Sequence, residues 1–541
     1  MRIKPIQILT ENIFMNDYRN YTKNISQFFD YNPFVARSYQ NRMKDLQQQT
    51  YQRTRLAEVL HEQNKRWDAP EAVHKNIERL KDENSVVIIG GQQAGLLTGP
   101  MYTVNKIISI MQMAKQHESK HQVPVLPVFW IAGEDHDFEE INHVFMPDAG
   151  RMKKHTINQR VEQKLPVSEI QINDTDARLW LDELFAQLCE TEHTKALYKM
   201  INTCLDQAKT YVDFFARIIH ELFNEEGLIL VDSADPSIRQ LESDYFVQLI
   251  EKQPEIAQGV YTAAQQVKQL GYPLTLDIEQ TDAHLFYHDN RERILLVRNE
   301  SGDWIGKRND IHLKTKDLLE TAKNKPGSLS NNVVTRPLMQ DMLFPTLAFI
   351  GGPGEINYWS VLKPAFHALN MNMPPVVPRL SFTYIERPVQ KALDKFGLTP
   401  DMVINEGIDK RKSNWLASQT TPPIGELTEH IKAVVDKAHE PLRQIAYDIR
   451  SDLGEVADKN LYYLHNNIDY LHDRIVHILK EKYASVLSEY DFVQLSLHPE
   501  GKRQERLWNP LPWLNDYGTA FIKRLAHESC SLEKAHYLVY L

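Results

Sequence analysis

The chain has 541 residues, of which 42% are hydrophobic and 25% charged, and its formal net charge is −10. This length exceeds the roughly 250 to 300 residues at which single cores stop growing, so it predicts more than one domain. The composition excludes a largely disordered or fibrous protein, and the short, interrupted basic clusters argue against dedicated nucleic-acid binding.

The cysteine pattern and the apolar runs predict the cellular compartment of the protein. Cys189, Cys204 and Cys530 are too few and too widely spaced for a disulfide framework or a C-x-x-C motif. The N-terminus lacks the apolar run of a signal peptide, and no window approaches 18 uninterrupted apolar residues. We therefore expect a cytoplasmic protein that does not span a membrane.

In chain order, a helical lead-in over 12–82 precedes an alternation of strands and helices. The apolar, β-branched run SVVIIGGQQAG predicts a strand that ends in glycines, and TVNKIISIMQMAKQ has helical spacing. A second strand is predicted over 125–132, and GLILVDSADP predicts a third. This alternation is typical of an α/β fold with a parallel sheet covered on both faces.

Two stretches interrupt this core. The chain is polar and helical between about 150 and 226, which indicates a helical insertion. Around 276–304 the pattern changes to alternation broken by HDNRER, which predicts a β insertion that contains a hairpin. We expect the core to resume at LFPTLAFIGGPGEINYW and again at PPVVPRLSFTYIE.

The C-terminal part is predicted to be long-helical from about 387. LYYLHNNIDYLHDRIVHILKEKY keeps a 3-4-3-4 apolar spacing, and IKAVVDKAHEPLRQIAYDIR can form an opposing helix that Pro441 kinks or ends early. The pair could dimerise through an exposed seam or pack on its own subunit. The tail from 491 is too rich in Pro and Trp to continue the helix and is expected to return to the core.

The first candidate binding segment is GGQQAGLLTGP. Its glycines free the backbone between a strand and a helix, where ligands of open α/β sheets bind. Gln92, Gln93 and Thr98 add neutral donors and acceptors beside Gly91 and Gly99. The alternative is a tight turn whose glycines serve packing. The segment matches neither the dinucleotide nor the P-loop fingerprint.

The second candidate is GEDHDFEE, which crowds acidic residues around a histidine. Glu134 and Asp135 could hold an ammonium group, while His136 and Asp137 are the candidate catalytic pair, with the histidine acting as acid, base or phosphate donor. The alternative is an acidic helix start favoured by the helix dipole. The spacing is not that of a zinc site, so no metal is predicted.

A third glycine loop and two basic segments complete the candidates. FIGGPGEINYW groups Glu355, Asn357 and Tyr358 at a helix start, which suggests substrate contact. Arg379 could pair with a carboxylate or phosphate, or form a surface salt bridge. Lys502, Arg503 and Arg506 beside Trp508 could hold a nucleotide, with a solvated basic face as the alternative.

Five strings, GGQQAGLLTGPMYTVNKI, FWIAGEDHDFEEIN, FIGGPGEINYW, PRLSFTYIE and HPEGKRQER, together resemble the bacillithiol biosynthesis cysteine-adding enzyme family over essentially the whole chain. The resemblance implies a Rossmann-like core with connecting insertions and a C-terminal antiparallel coiled coil used for homodimerisation. It also implies a ligase that adds cysteine to glucosaminyl-malate in the last step of bacillithiol synthesis.

With this resemblance, the chain is divided into seven predicted parts: N-terminal helices and the first half of the core (1–150), a helical insertion (151–226), core (227–275), a β-containing insertion (276–340), core (341–386), a coiled-coil arm (387–490) and a return to the core (491–541).

The resemblance also implies how the ligands are bound. The two N-terminal loops, with Glu355, Asn357, Tyr358 and Arg379, would line the core pocket, and ATP would activate a carboxylate for attack by an amine. A second nucleotide site, for ADP or ATP, would lie near the base of the coiled coil at Tyr384, Glu386, Tyr490 and Arg506. The alternatives are another nucleotide-dependent ligase or transferase acting on a small acid, and a non-catalytic dimeric scaffold.

Overall fold

The protein is described by a computed structural model that covers residues 1–9, 12–148, 150–161, 165–289, 292–308 and 311–541. Within these ranges, no helix is both long enough and apolar enough to cross a membrane. The chain begins with β1 (Arg2–Ile6), α1 (Ile13–Arg19), α2 (Lys23–Ser26), α3 (Ala36–Leu46), α4 (Arg53–Arg66) and α5 (Glu71–Arg79). The helical lead-in predicted from the sequence is confirmed.

The first strands of the core follow the lead-in. They belong to the segment β2 (Val86–Gln92), α6 (Tyr102–His121), β3 (Val125–Ile131), α7 (Phe138–Ile141), β4 (His143–Asp148) and β5 (Arg151–Thr156). Both predicted strands and the helix between them are confirmed. The antiparallel β4–β5 hairpin was not predicted, because β4 has three consecutive apolar residues and β5 is mostly polar, so neither shows the alternation expected of a strand.

The helical insertion and the third core strand come next. The elements are α8 (Asp174–Phe185), α9 (Thr194–Gln207), α10 (Tyr211–Leu222), β6 (Ile229–Asp232), α11 (Pro236–Leu241) and α12 (Ser243–Gln269). Helix α10 starts with a capping box, in which Thr210 Oγ1 accepts a hydrogen bond from Asp213 N and the Asp213 carboxylate accepts one from Thr210 N.

The second insertion is built on an antiparallel sheet. Its elements are β7 (Asp282–Asp289), β8 (Glu292–Arg298), β9 (Trp304–Gly306), β10 (His312–Leu313), α13 (Thr315–Asn324), β11 (Leu329–Asn331) and α14 (Thr335–Leu343). The strands are ordered β10-β9-β8-β7-β11. The predicted hairpin is formed by β7 and β8, and the two residues between them, 290 and 291, lie outside the described residues.

The core is completed by β12 (Thr346–Gly351), α15 (Pro353–Trp359), α16 (Lys363–Ala368) and β13 (Val376–Pro378). The central sheet has the order β13-β12-β2-β3-β6, and all four pairings are parallel. Alternate residues of β2 enter two separate hydrophobic clusters, with Val86 and Ile88 in one and Val87 and Ile89 in the other. The predicted Rossmann-like sheet, buried on both faces, is therefore confirmed.

The remaining elements are β14 (Phe382–Ile385), α17 (Arg387–Phe396), α18 (Pro400–Glu406), α19 (Asp409–Ala417), α20 (Ile424–Ile449), α21 (Ser451–Lys482), α22 (Ala484–Leu497), α23 (Leu511–Tyr517), α24 (Ala520–His527) and β15 (His536–Tyr540). Helices α20 and α21 are the predicted antiparallel pair, and α20 runs through Pro441 without ending.

Of the expectations for the C-terminal part, one is confirmed in part and one was wrong. The core does resume in PPVVPRLSFTYIE, where β13 joins the central sheet, but β14 belongs to a separate sheet ordered β1-β15-β14. Helix α22 also continues past 491, and it ends at Leu497 because Pro499 disfavours the helical conformation at His498, whose φ and ψ are −143° and 55°. The tail then packs on the core, where Asn509 Nδ2 donates to the Leu97 and Gly99 carbonyl oxygens at 2.9 and 2.8 Å.

Candidate functional site

A cavity of about 280 Å³ lies at the carboxyl edge of the central sheet. This is where ligands of open α/β sheets bind. The cavity is lined by Gly91, Gln92, Gln93, Tyr102, Lys106, Trp130, Ala132, Arg336, Gly352, Pro353, Gly354, Glu355, Arg379 and Arg506. The first and third glycine loops, which are more than 250 residues apart in the chain, thus form opposite parts of one site.

Packing explains a key glycine of the first loop. A Cβ added at Gly91 would lie 2.5 Å from the Trp130 carbonyl oxygen, so only glycine lets β2 and β3 approach this closely at their ends. Gly99 has a φ of +72°, which favours glycine as well. The packing explanation for these glycines and the binding explanation for the loop are therefore compatible.

Lys106 connects the two glycine loops from inside α6. Its Nζ donates to the Gly91 carbonyl oxygen at 2.7 Å and to Gln92 Oε1 at 3.1 Å, and it forms an ion pair with Glu355. Burial lowers the pKa of Lys106, and the Glu355 charge opposes this shift. Glu355 also accepts a hydrogen bond from Gly352 N at 2.8 Å, which fixes the start of α15.

Arg379 forms a buried bidentate ion pair with Glu505 behind the cavity, with distances of 2.7 and 2.8 Å. The same carboxylate accepts hydrogen bonds from Asn105 Nδ2 and Ser381 Oγ, each at 2.7 Å. Burial alone would raise the pKa of Glu505, but the charge and hydrogen bonds of Arg379, together with nearby positive charges, outweigh it and lower the pKa to about 2. Arg379 was predicted to pair with a carboxylate or phosphate, or to form a surface salt bridge. The structure shows that it pairs with a carboxylate of the protein in the interior.

Arg336 reaches the cavity from α14 of the second insertion. Its Nη2 donates to Tyr358 Oη at 2.6 Å and its Nη1 to Gln340 Oε1 at 3.3 Å. Neither Arg336 nor Arg506 forms an ion pair with any residue that the structure describes, whereas Lys106 and Arg379 each have a carboxylate partner. The cavity therefore carries an excess of positive charge and suits an anionic group such as a carboxylate or phosphate.

The acidic loop divides into structural and accessible residues. Glu134 is buried and forms an ion pair with Arg239, which also contacts Glu242 at 2.7 Å, so this carboxylate stabilises the interior. Asp135 accepts a hydrogen bond from Gln93 Nε2 at 2.7 Å. His136, whose side chain is 31% exposed, follows it, and Arg293 Nη1 lies 3.5 Å from its Nδ1.

The candidate catalytic pair is placed beside the cavity. His136 and Asp137 are not among the lining residues, but Asp135 and Gln93 connect them to it. Asp137 is exposed and precedes α7 without capping it through its side chain. His136 is therefore neither enclosed by apolar side chains nor remote from the first glycine loop.

The structure brings together some of the predicted binding residues and separates others. Gly91, Gln92, Gln93, Glu355 and Arg379 line the cavity. Thr98 and Gly99 lie beneath the C-terminal tail instead, and Asn357 Nδ2 donates to the Pro273 carbonyl oxygen at 2.8 Å. Tyr358 is connected to the cavity through the hydrogen bond that its Oη accepts from Arg336.

The four residues predicted for a second nucleotide site each have their own partners. Tyr384 is buried in one hydrophobic cluster, where its Oη donates to Asn105 Oδ1 at 3.0 Å, and Tyr490 lies in another, stacked on Phe396 at 4.0 Å. Glu386 lies 3.4 Å from Tyr517 Oη. Arg506 lines the main cavity, so it contributes to the first site in this structure.

Sequence reasoning missed Tyr102, Lys106 and Arg336. Lys106 had a detectable signal, since it stands in the middle of the apolar stretch of α6, where a charged residue needs a buried partner. Nothing local marks Arg336, because its place in the cavity depends on how the second insertion packs. In the described ranges, no group of three or more His, Cys, Asp or Glu side chains could hold a metal ion.

A parallel Rossmann-like sheet, a cationic cavity at its carboxyl edge and a long C-terminal helical hairpin define the class: an α/β protein with a cavity at the edge of its core sheet and a coiled-coil domain. Two family models agree with this class. "Bacillithiol biosynthesis BshC, N-terminal Rossmann-like domain" matches residues 1–380, and "Bacillithiol biosynthesis BshC, C-terminal coiled-coil domain" matches residues 382–541. The chain belongs to the BshC family of bacillithiol biosynthesis.

Curated relatives resemble the chain over its full length. Proteins of Oceanobacillus iheyensis, Geobacillus sp. strain WCH70 and Bacillus licheniformis are 38%, 40% and 38% identical to it, and each alignment covers 100% of both chains. Each of the three carries the name "Putative cysteine ligase BshC". The family resemblance expected from the sequence is confirmed.

Proposed function

We propose that this protein is the cysteine ligase of bacillithiol synthesis and that it joins cysteine to glucosaminyl-malate in the cavity at the carboxyl edge of the central sheet. The observation that carries the proposal is the pair of arginines, Arg336 and Arg506, which face the cavity without a carboxylate partner among the described residues. Both substrates carry carboxylates, which such groups bind well. The full-length relatives named as cysteine ligases support the same reaction.

The reaction forms an amide between the cysteine carboxyl carbon and the glucosamine nitrogen. We propose that a carboxylate oxygen attacks ATP and expels ADP or pyrophosphate, and that phosphate or AMP then leaves the acyl carbon with the bonding electron pair when the amine attacks. Arg336 and Arg506 would hold the negative charge of the activating group. His136 and Asp137 would receive or deliver a proton at the edge of the cavity.

The proposed setting is the reducing cytoplasm, where a thiol product stays reduced. Cys189, Cys204 and Cys530 are all free thiols, as expected in such a compartment. We further propose that two copies associate through α20 and α21. Large apolar side chains are exposed along both helices, among them Val434 at 54%, Leu442 at 63% and Leu471 at 60%.

Thiol analysis of a deletion strain tests the proposal. We expect loss of bacillithiol and accumulation of its amine precursor, with both changes reversed by the intact gene. Unchanged bacillithiol would exclude this role. A folded His136→Ala/Asp137→Ala variant that still restores bacillithiol would favour the non-catalytic scaffold.

Activation by ATP is tested separately. We expect the purified protein to catalyse cysteine-dependent exchange between ATP and pyrophosphate if an adenylate forms, and cysteine-dependent release of ADP if an acyl phosphate forms. Exchange supported by another small acid, but not by cysteine, would favour the alternative nucleotide-dependent ligase.

A further inference from the structure

The hydrogen bonds of Lys106 leave it no donor for a ligand. A protonated lysine has three N–H groups and no acceptor. Here three acceptors surround Nζ: the Gly91 carbonyl oxygen at 2.7 Å, Gln92 Oε1 at 3.1 Å and the Glu355 carboxylate. The side chain is only 1% exposed. All three N–H donors of Lys106 are therefore bound by protein acceptors, although Lys106 lines the cavity.

The lysine fixes which end of the Gln92 amide faces the ligand. Because Lys106 can only donate, the amide must turn its oxygen towards Nζ, and this directs the Nε2 group with its two N–H donors away from the lysine. Gln92 is half-buried and lines the cavity, and Nε2 forms no hydrogen bond among the described residues.

We propose that Lys106 is a positioning residue that orients the Gln92 amide, and that Gln92 Nε2 donates a hydrogen bond to a carboxylate or acyl oxygen of the substrate. This inference rests on the proposed ligase function and adds to it the identity of the ligand atom at one point of the cavity. When the amine attacks the acyl carbon, negative charge develops on that oxygen, and a donor already held in place stabilises it.

Gln92→Glu tests the donor without removing the lysine contact. The new carboxylate keeps an oxygen beside the Lys106 ammonium, so we expect the variant to fold, but both of its outer atoms are acceptors and repel a substrate oxygen. We expect bacillithiol in a complemented deletion strain to fall about tenfold or more at equal protein abundance. The control is Gln258→Glu, which makes the same change on the exposed face of α12 and should restore bacillithiol fully.

A retained or increased bacillithiol level in the Gln92→Glu strain would overturn the inference, since it would mean that the ligand presents a donor, such as an ammonium group, at this point. Failure of the intact gene would instead refute the proposed function. Thermal stabilisation by L-cysteine and by L-malate gives a readout that does not depend on the product. Whichever acid raises the Tm of the intact protein should raise that of Gln92→Glu much less, and an equal increase would contradict the inference.

A double substitution separates positioning by Lys106 from simple charge balance. Lys106→Met with Glu355→Gln removes both members of the buried ion pair, so no unpaired charge remains, and the reference is Glu355→Gln alone. We expect the double variant to give several-fold less bacillithiol than the reference at equal abundance, because the Gln92 amide is no longer oriented. Equal levels would show that Lys106 only neutralises Glu355 and would overturn its assignment.

Discussion

Replacing Glu505 with glutamine is expected to destabilise the protein strongly, although Glu505 does not line the cavity. The carboxylate is 1% exposed and accepts two hydrogen bonds from Arg379, one from Asn105 and one from Ser381. Glutamine has one acceptor oxygen and adds an amide where donors converge, so the Arg379 charge would remain buried without its partner. Breaking a buried ion pair in this way costs about 3 to 5 kcal/mol.

The pKa of Glu505 gives a similar value for the free energy of unfolding that would be lost. Burial acts to raise it, but the Arg379 charge and hydrogen bonds lower it from 4.5 to about 2. That difference corresponds to about 3 kcal/mol of stabilisation by the ionised group. Because the pKa is lower in the folded protein, this stabilisation is present above about pH 4.5 and is lost as the pH falls towards 2.

Thermal unfolding at pH 7 measures the effect, with Glu489→Gln as the matched control. Glu489 also forms an ion pair of 2.7 Å, with Lys395, but the two side chains are 36% and 52% exposed, so the control should lose at most about 1 kcal/mol. We expect Glu505→Gln to lower the Tm by about 3 °C or more. A Tm change no larger than that of Glu489→Gln would refute the reasoning.

Three further outcomes are expected. Burial raises the pKa of Asp232 from 3.8 to about 6, so the folded state becomes less stable as the pH rises through this range. Asp232→Asn should therefore raise the Tm at pH 8 by more than at pH 4. An equal rise in Tm at both pH values would contradict this. Arg293→Gln should lower bacillithiol about tenfold, because His136 loses the neighbour that holds its ring in place. The control is Arg298→Gln on the same strand, since the guanidinium of Arg298 also lies over an aromatic ring, and it should leave bacillithiol unchanged. Equal bacillithiol levels in the two variants would exclude the role of Arg293. Leu471→Asp should yield a monomer by light scattering if α21 forms the dimer seam, and an unchanged mass would argue against that seam.

The central sheet could be predicted because its strands carry strong local signals. Strands β2 and β3 are continuous apolar runs that end near glycines or acidic residues, and their carboxyl ends must meet at one edge once the strands are parallel. The family resemblance, rather than strand geometry, predicted that Gln92 and Glu355 share one pocket, and both residues line the cavity.

The charge pairing of the site could not be predicted in the same way. Glu505 lies 126 residues from Arg379, in a tail whose path depends on β15 joining β14 and β1. Arg336 reaches the cavity only because the second insertion packs on the core. Local patterns identify elements and loops, but the partner of a buried charge is set by tertiary packing.

The most direct test of the central claim is the ratio of bacillithiol to its amine precursor, measured by mass spectrometry in a deletion strain that expresses Arg336→Gln. Glutamine removes an uncompensated charge from the cavity, so the variant should be at least as abundant as the intact protein, yet the precursor should accumulate and bacillithiol should fall at least tenfold. A ratio equal to that given by the intact gene would mean that the reaction takes place elsewhere.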